Sequence, residues 1–332
     1  MQAVSVRETT WGPGWFAVEV ETSNLAVTIL PNKGADICSI RYKRCGNLEV
    51  LWKSPWDPVM PGTLYAPDSA TRWMNSYPGG WQVMLPNAGD EATYQGTFYG
   101  FHGEASLVPW HWSVEERSES RLTLRFTVAL PHVPLRLERR VSLYAETPAT
   151  VYLRQRVTND GVETVPCEWG EHIAYGSPFL SEACTFDVPA AAIRTEFESN
   201  SRLPLGETAW PLSDEAGQDF RRVLGPESHV ADFGILAYLS EGRYTLKNSE
   251  LNVGVEVKWD LSVMPYVWLW QEFQGSRNHP FHGRSYAMGL EPCSADSHSG
   301  VAGSMGNGTA IHLEPHQTRE FWLDFHLFST AP

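Results

Sequence analysis

Hydrophobic and polar residues alternate with a period of two over much of this chain. In LTLRFTVAL, Leu122, Leu124, Phe126, Val128 and Leu130 fall on one side. LRLERRVSLY repeats the pattern with Leu135, Leu137, Val141 and Leu143, as do Val151, Leu153 and Val157. Val253, Val255 and Val257 follow, then Phe321, Leu323, Phe325 and Leu327. A strand turns successive side chains to opposite faces, so such alternation predicts pleated surfaces with one side buried. Turn clusters such as TNDG at Thr158–Gly161 separate the segments. No segment shows helical periodicity of comparable clarity over several turns. The pattern predicts an all-β fold, a large antiparallel β-sandwich whose alternating polar faces are solvated or line a cleft.

Two stretches break the alternation. Residues Ser54–Gly80 carry many Pro, Gly and Trp with weak strand pattern, and loops of that length in a compact fold are often binding loops. Glu196–Asp219 is polar and turn-rich and reads as an excursion over the surface. Neither has the character of an interdomain linker, so one domain over residues 1–332 is expected.

Composition narrows the partners. The net charge is −14. With no basic stripe to offset it, a phosphate backbone would be repelled, which argues against nucleic acid. The N-terminus lacks a basic flank followed by an apolar run, and no stretch is long and apolar enough to span a bilayer. The five cysteines are odd in number and lack metal-type pairing, as expected of reduced residues in a cytoplasmic protein. The chain also holds 14 Trp, which either fill a core or stack on the apolar faces of a ligand.

Three segments place polar groups among aromatics and glycines. In Gly79–Trp110, Gly100 and Gly103 bracket His102, allowing close backbone approach. In CEWGEHIAYGSPFL, Glu171 and His172 lie on a predicted strand. In RSYAMGLEPCSADSHS, Glu291 ends an apolar run just before Pro292. Taken singly, each also reads as packing: a turn histidine bonded to backbone, a core histidine, a carboxylate at a strand terminus. Ahead of Glu291, Tyr266, Trp268, Trp270 and Glu272 share one strand face, while Glu256, Lys258 and Asp260 lie opposite Val255 and Val257. A row of aromatics ending in a carboxylate suits a carbohydrate, though it equally describes a core stripe.

Together the segments resemble aldose 1-epimerases (mutarotases). His102-Gly103 resembles the family's His-Gly step, and His172 followed by Tyr175 its mid-chain histidine element. MGLEPCSAD resembles the segment bearing its glutamate, and Pro86-Asn87 its Pro-Asn step. The resemblance implies a galactose mutarotase-like supersandwich and a small-molecule sugar as partner. It implies Glu291 as base, His172 as acid and His102 polarising or orienting the ring oxygen, with Asn87 and Asp260 as sugar contacts; Trp270, from the aromatic face, and Arg72, as a substitute for a missing arginine, are further expected contacts. No cofactor and no metal are implied, and a monomer or homodimer is expected. Two departures stand out: Ala88 replaces an arginine after the Pro-Asn step, and GSPFL replaces Phe-Asn-Leu after His172. Other readings are a non-catalytic sugar-binding or sensing protein, a sugar-phosphate epimerase, or a glycosidase pairing Glu291 with Glu272 or Glu171.

Overall fold

The alternating segments hydrogen-bond into two large antiparallel sheets in this computed structural model, which describes residues 3–196, 202–213, 217 and 219–331. The site-bearing strands of the larger sheet are β1 (Trp81–Met84), β2 (Gly170–Gly176), β3 (Val230–Ala237), β4 (Tyr266–Phe273) and β5 (Tyr286–Cys293). They lie side by side in the order β1-β2-β5-β4-β3. The N-terminal strands from Ser5 to Tyr42 extend the sheet beyond β1, and Ala192–Thr195 with Gly206–Ala209 extend it beyond β3. Gly206–Ala209 lies within the stretch expected to be a surface excursion; residues 197–201, 214–216 and 218 of that stretch lie outside the described residues.

The smaller sheet has eight strands and contains the segments with the clearest alternation, including Arg121–Ala129, Leu135–Tyr144, Thr150–Asn159 and Thr318–Ser329. One face of it packs on the larger sheet. Phe325 lies 5.8 Å from Trp81 and Phe321 5.4 Å from Trp169, ring centre to ring centre. Tyr175 joins the same interior, with its hydroxyl 2.7 Å from that of Tyr244.

A charged cluster is sealed between the sheets. Glu171 on β2 and Arg139 are both fully buried and 3.1 Å apart. Glu171 also accepts from the Trp81 indole and the Gln155 amide. Arg139 donates to the Ala35 carbonyl. A buried carboxylate is tolerated only with such partners.

The alternation does not continue cleanly through the centre. Every residue of β2 is buried, and nearly every residue of β5. The outer face of the larger sheet is itself covered by loops, so both faces of these strands lose contact with water. Within Ser54–Gly80 the chain forms a short helix, α1 (Ser69–Asn75), where strand-free loop was expected; Asp68 caps it by accepting from the Thr71 amide at 2.6 Å. A second short helix, α2 (Gly300–Asn307), follows β5. No helix among the described residues is long and apolar enough to cross a membrane.

Replacing Arg139 with Ala would take away the cation that answers the buried Glu171 carboxyl between the sheets. The expected cost is about 3–5 kcal/mol of stability, measured by denaturant unfolding; Glu171→Gln with Arg139→Met should recover much of it.

Candidate functional site

The register of the central strands builds the site. Gly170 pairs with Cys293 and Ala174 with Gly289, which sets His172 directly opposite Glu291. On the other side of β5, Glu291 pairs with Trp268 and Gly289 with Trp270. Because Glu171 turns inward to Arg139, His172 turns outward. The outward row therefore runs Gln82, His172, Glu291, Trp268 across the sheet. The adjoining row holds Ala174 and Gly289 beside Trp270, and a hollow lies over this face.

That hollow is a cavity of about 260 Å³, lined by His102, His172, Glu291, Trp270 and Glu272 among others. Gly289 makes room for the Glu291 side chain: a Cβ at this position would lie 2.2 Å from Glu291 Oε1. Over the floor, α1 and the turn after it contribute Trp73 and Tyr77. The Trp73 ring meets His102 edge-on at 4.7 Å and lies tilted 5.5 Å from His172, and its indole donates to the Ser106 hydroxyl at 3.0 Å. The Phe281 ring closes one side, 6.0 Å from Trp270.

The polar groups at the centre lie close together. His172 Nε2 is 3.5 Å from Glu291 Oε1, and its Nδ1 is 3.3 Å from the Tyr77 hydroxyl. The two imidazoles are 5.4 Å apart. Glu291 Oε1 is buried without a hydrogen-bond partner of good geometry. Burial drives the Glu291 carboxyl well above the usual range, toward its protonated form. Burial, and then the neighbouring His102, drive His172 well below the usual imidazole range. Both shifts favour the uncharged forms, a protonated carboxyl beside a neutral imidazole.

His102 sits in a turn at φ 53°, followed by Gly103 at φ 72°. Gly103 is required there, since a Cβ would lie 2.2 Å from the Leu85 carbonyl oxygen. His102 Nδ1 donates to the Ala88 carbonyl, and burial lowers its pKa to about 4. The neutral ring therefore keeps Nε2 as an acceptor. The Ala88 backbone is held in turn by Glu168, buried like the others, which accepts from the amides of Ala88 at 2.7 Å and Gly89 at 3.2 Å and from the Ser304 hydroxyl on α2.

Of the residues expected to touch a sugar, Trp270 lines the cavity with the two histidines and Glu291, whereas Asn87, Asp260 and Arg72 do not. Asn87 is fully buried, and its amide is spent on the carbonyls of Gly89, Asp90 and Gly100 and on the Val301 amide. Its part is to shape the loop that carries Ala88. Asp260 holds the turn after Val253–Trp259 by accepting from the Ser262 amide and hydroxyl. Arg72 is exposed on α1, on a different side from buried Trp73. Tyr175 points into the core. Sequence reasoning missed Trp73, Tyr77, Phe281 and the rim pair of Asp90 and His298; only the aromatic density of Ser54–Gly80 hinted at any of them. His298 lies between Glu196 and Asp90, and the Glu196 carboxylate raises its pKa. Among the described residues, no group of His, Cys, Asp and Glu is placed to hold a metal ion.

A family model described as a domain of unknown function (DUF4432) matches residues 12–327. No curated protein matches. Solved structures share the fold. A Klebsiella pneumoniae protein proposed to be an aldose 1-epimerase superposes with a TM-score of 0.75 at 16% identity, over 100% of this chain and 85% of that one. A galactose mutarotase related enzyme from Lactobacillus acidophilus gives a TM-score of 0.65 at 19% identity, over 95% and 98%. A galactose mutarotase-like protein from Clostridium acetobutylicum gives 0.66 at 11% identity, over 98% and 99%.

Nitrogen-15 NMR is expected to show His102 protonated at Nδ1 and free at Nε2 from neutral pH downward, titrating near pH 4. On acidification the unfolded chain takes up this proton first, near the ordinary imidazole value of about 6.5, so His102 costs stability as pH falls from about 6.5 toward 4. Ordinary titration near 6.5 would contradict the burial of the ring, and a proton on Nε2 would contradict the bond to Ala88.

Proposed function

We propose, given that this chain belongs to the DUF4432 family and has the galactose mutarotase-like fold, that it interconverts the α and β anomers of a sugar by acid–base ring opening. The observation that carries the reading is the opposition of His172 and Glu291, 3.5 Å apart in an aromatic cavity sized for one ring.

Anomer exchange needs a base at the anomeric hydroxyl and an acid at the ring oxygen. The neutral Glu291–His172 pair holds the one proton the cycle requires. Passing it from the carboxyl to the imidazole yields a carboxylate and an imidazolium, which share one site and so offset each other's burial. Glu291 then takes the anomeric proton while His172 protonates the ring oxygen and the C1–O5 bond breaks. Rotation about C1–C2 presents the other carbonyl face. Closure returns both protons, and the pair is restored.

His102 has a different part from the one the family resemblance implies. With Nδ1–H committed to Ala88, Nε2 accepts a hydrogen bond from a sugar hydroxyl and does not donate to the ring oxygen. Trp73 and Trp270 offer flat surfaces to the sugar C–H faces. The position after Asn87 holds a buried Ala88 whose backbone orients His102, so the arginine expected from the aldose 1-epimerase resemblance has no counterpart at this place.

The glycosidase alternatives fit poorly. Glu171 faces the opposite side of β2. Glu272 pairs with Ala287, four residues along β5 from Glu291, or about 13 Å of strand. The Glu272 carboxylate is moreover committed to the Ser276 amide and hydroxyl. A non-catalytic sugar binder is favoured over the enzyme by one observation, the buried Ala88, and the same experiment separates them.

Saturation-transfer NMR over a panel of aldoses measures exchange, and calorimetry measures binding. Glu291→Gln and His172→Asn should each lower exchange by about 100-fold or more, the scale of a positioned acid or base, with binding less affected. Exchange by Glu291→Gln at the parent rate would remove Glu291 as base. Binding without exchange by the parent protein would establish the binder.

A further inference from the structure

The Tyr77 hydroxyl is a polar group of the site to which the anomer reading gives no task. The turn after α1 delivers it: the Tyr77 amide donates to the Met74 carbonyl at 3.1 Å, and the Tyr77 carbonyl accepts from the Ser54 hydroxyl. Its ring is buried and packs on Trp73 at 4.5 Å and on Trp52 at 5.4 Å. The phenol lies edge-on to the His172 ring at 5.3 Å, with its oxygen 3.3 Å from Nδ1. Burial, and then the Glu291 carboxyl, push the phenol well above its usual range, so it stays a neutral hydroxyl.

A neutral imidazole has one N–H, and the nitrogen that carries it decides what His172 can do. Nδ1 has a hydrogen bond of good geometry, to Tyr77. Nε2 reaches Glu291 Oε1 only across 3.5 Å, and that oxygen has no aligned partner. A proton on Nε2 would therefore lie in a buried place with no acceptor in line. A proton on Nδ1 is met by the phenol oxygen. The phenol's own O–H can swing about its C–O bond into the cavity, which Tyr77 lines, whereas a ring N–H cannot turn.

We propose that Tyr77 is a positioning residue for His172: it accepts from Nδ1–H and so fixes the tautomer whose open Nε2 faces Glu291. The proposal rests on the anomer-exchange reading, in which the Nε2 lone pair takes the Glu291 proton and passes it to the ring oxygen. With Nε2 already protonated, it has no lone pair to take that proton. A neutral acceptor suits the task better than a carboxylate. A carboxylate at Nδ1 would favour the imidazolium and hold His172 charged, whereas a phenol orients the ring and leaves the proton to Glu291. The Ala88 carbonyl treats His102 in the same way, so each imidazole of the site has Nδ1 tied down and Nε2 open.

Nitrogen-15 NMR at neutral pH tests the tautomer without any turnover. In the parent protein His172 should carry its proton on Nδ1, and that proton should show a nuclear Overhauser contact to the Tyr77 ring. In Tyr77→Phe, which removes only the oxygen, the proton should move to Nε2 or divide between the two nitrogens. His102 should keep its Nδ1 proton in both proteins and serves as the internal control. Exchange kinetics on an accepted aldose should show kcat about tenfold lower, the scale of one neutral hydrogen bond, with KM changed by less than about twofold. A melting curve verifies folding; should the variant unfold, the parent's proton position and its contact to Tyr77 decide the matter alone. A parent with its His172 proton on Nε2, or a variant with the parent's tautomer or kcat, would overturn the positioning role and leave the anomer reading intact. So would a variant that raises KM at unchanged kcat, since Tyr77 would then be a sugar contact only. A parent that exchanges no aldose would overturn the anomer reading, and with it the use of this tautomer in catalysis, whatever the NMR shows.

Discussion

A carboxylate sealed between two sheets must be answered by a cation, and Glu171 meets that demand with Arg139. This constraint sets the parity of β2. If Glu171 faces Arg139, then His172 must face away, and Ala174 with it. A slip of one residue would bury His172 against the smaller sheet and push Glu171 into the cavity. It would also strand Arg139 without its partner. The ion pair therefore orients the outer face through the strand that separates them, although it never touches a ligand.

From that parity the centre follows by register. Adjacent antiparallel strands bring residues of one face opposite each other, so His172 and Glu291 meet although 119 positions separate them in the chain. Burial disfavours the charged form of both groups, because the cavity withdraws them from water. Their proximity makes the charged arrangement reachable without bringing in a proton from outside. The same principle runs through the His102 shell, where Glu168, Ala88 and Ser304 form a relay of hydrogen bonds that fixes one tautomer.

Much of this was readable from the chain. Period-two alternation marks the smaller sheet almost strand by strand, because one of its faces is solvated. The common face of Trp268, Trp270 and Glu272 was likewise evident, since a strand permits no other arrangement. The larger sheet was harder to read because its central strands are buried on both sides, which erases alternation. Asn87 and Asp260 carry the polar groups a sugar would want, yet both spend them on backbone. That expenditure is invisible in a sequence, where an amide bonded to a loop looks the same as one free for a ligand. Trp73 and Tyr77 were hidden for another reason: a helix of seven residues is too short to display a period.

The cavity at the heart of the site stands on a sheet. Gly289 leaves room beside the Glu291 side chain, and the strands under the cavity are neighbours in one sheet. A chamber carved between loops can collapse when vacant and must be reopened by its guest. One hollowed out of a sheet has nowhere to fall. Its shape is settled when the chain folds, so an arriving molecule loses little affinity to ordering its host. Discrimination here then rests on fit to a standing mould, and a single methyl added to the floor is enough to change what the mould will accept.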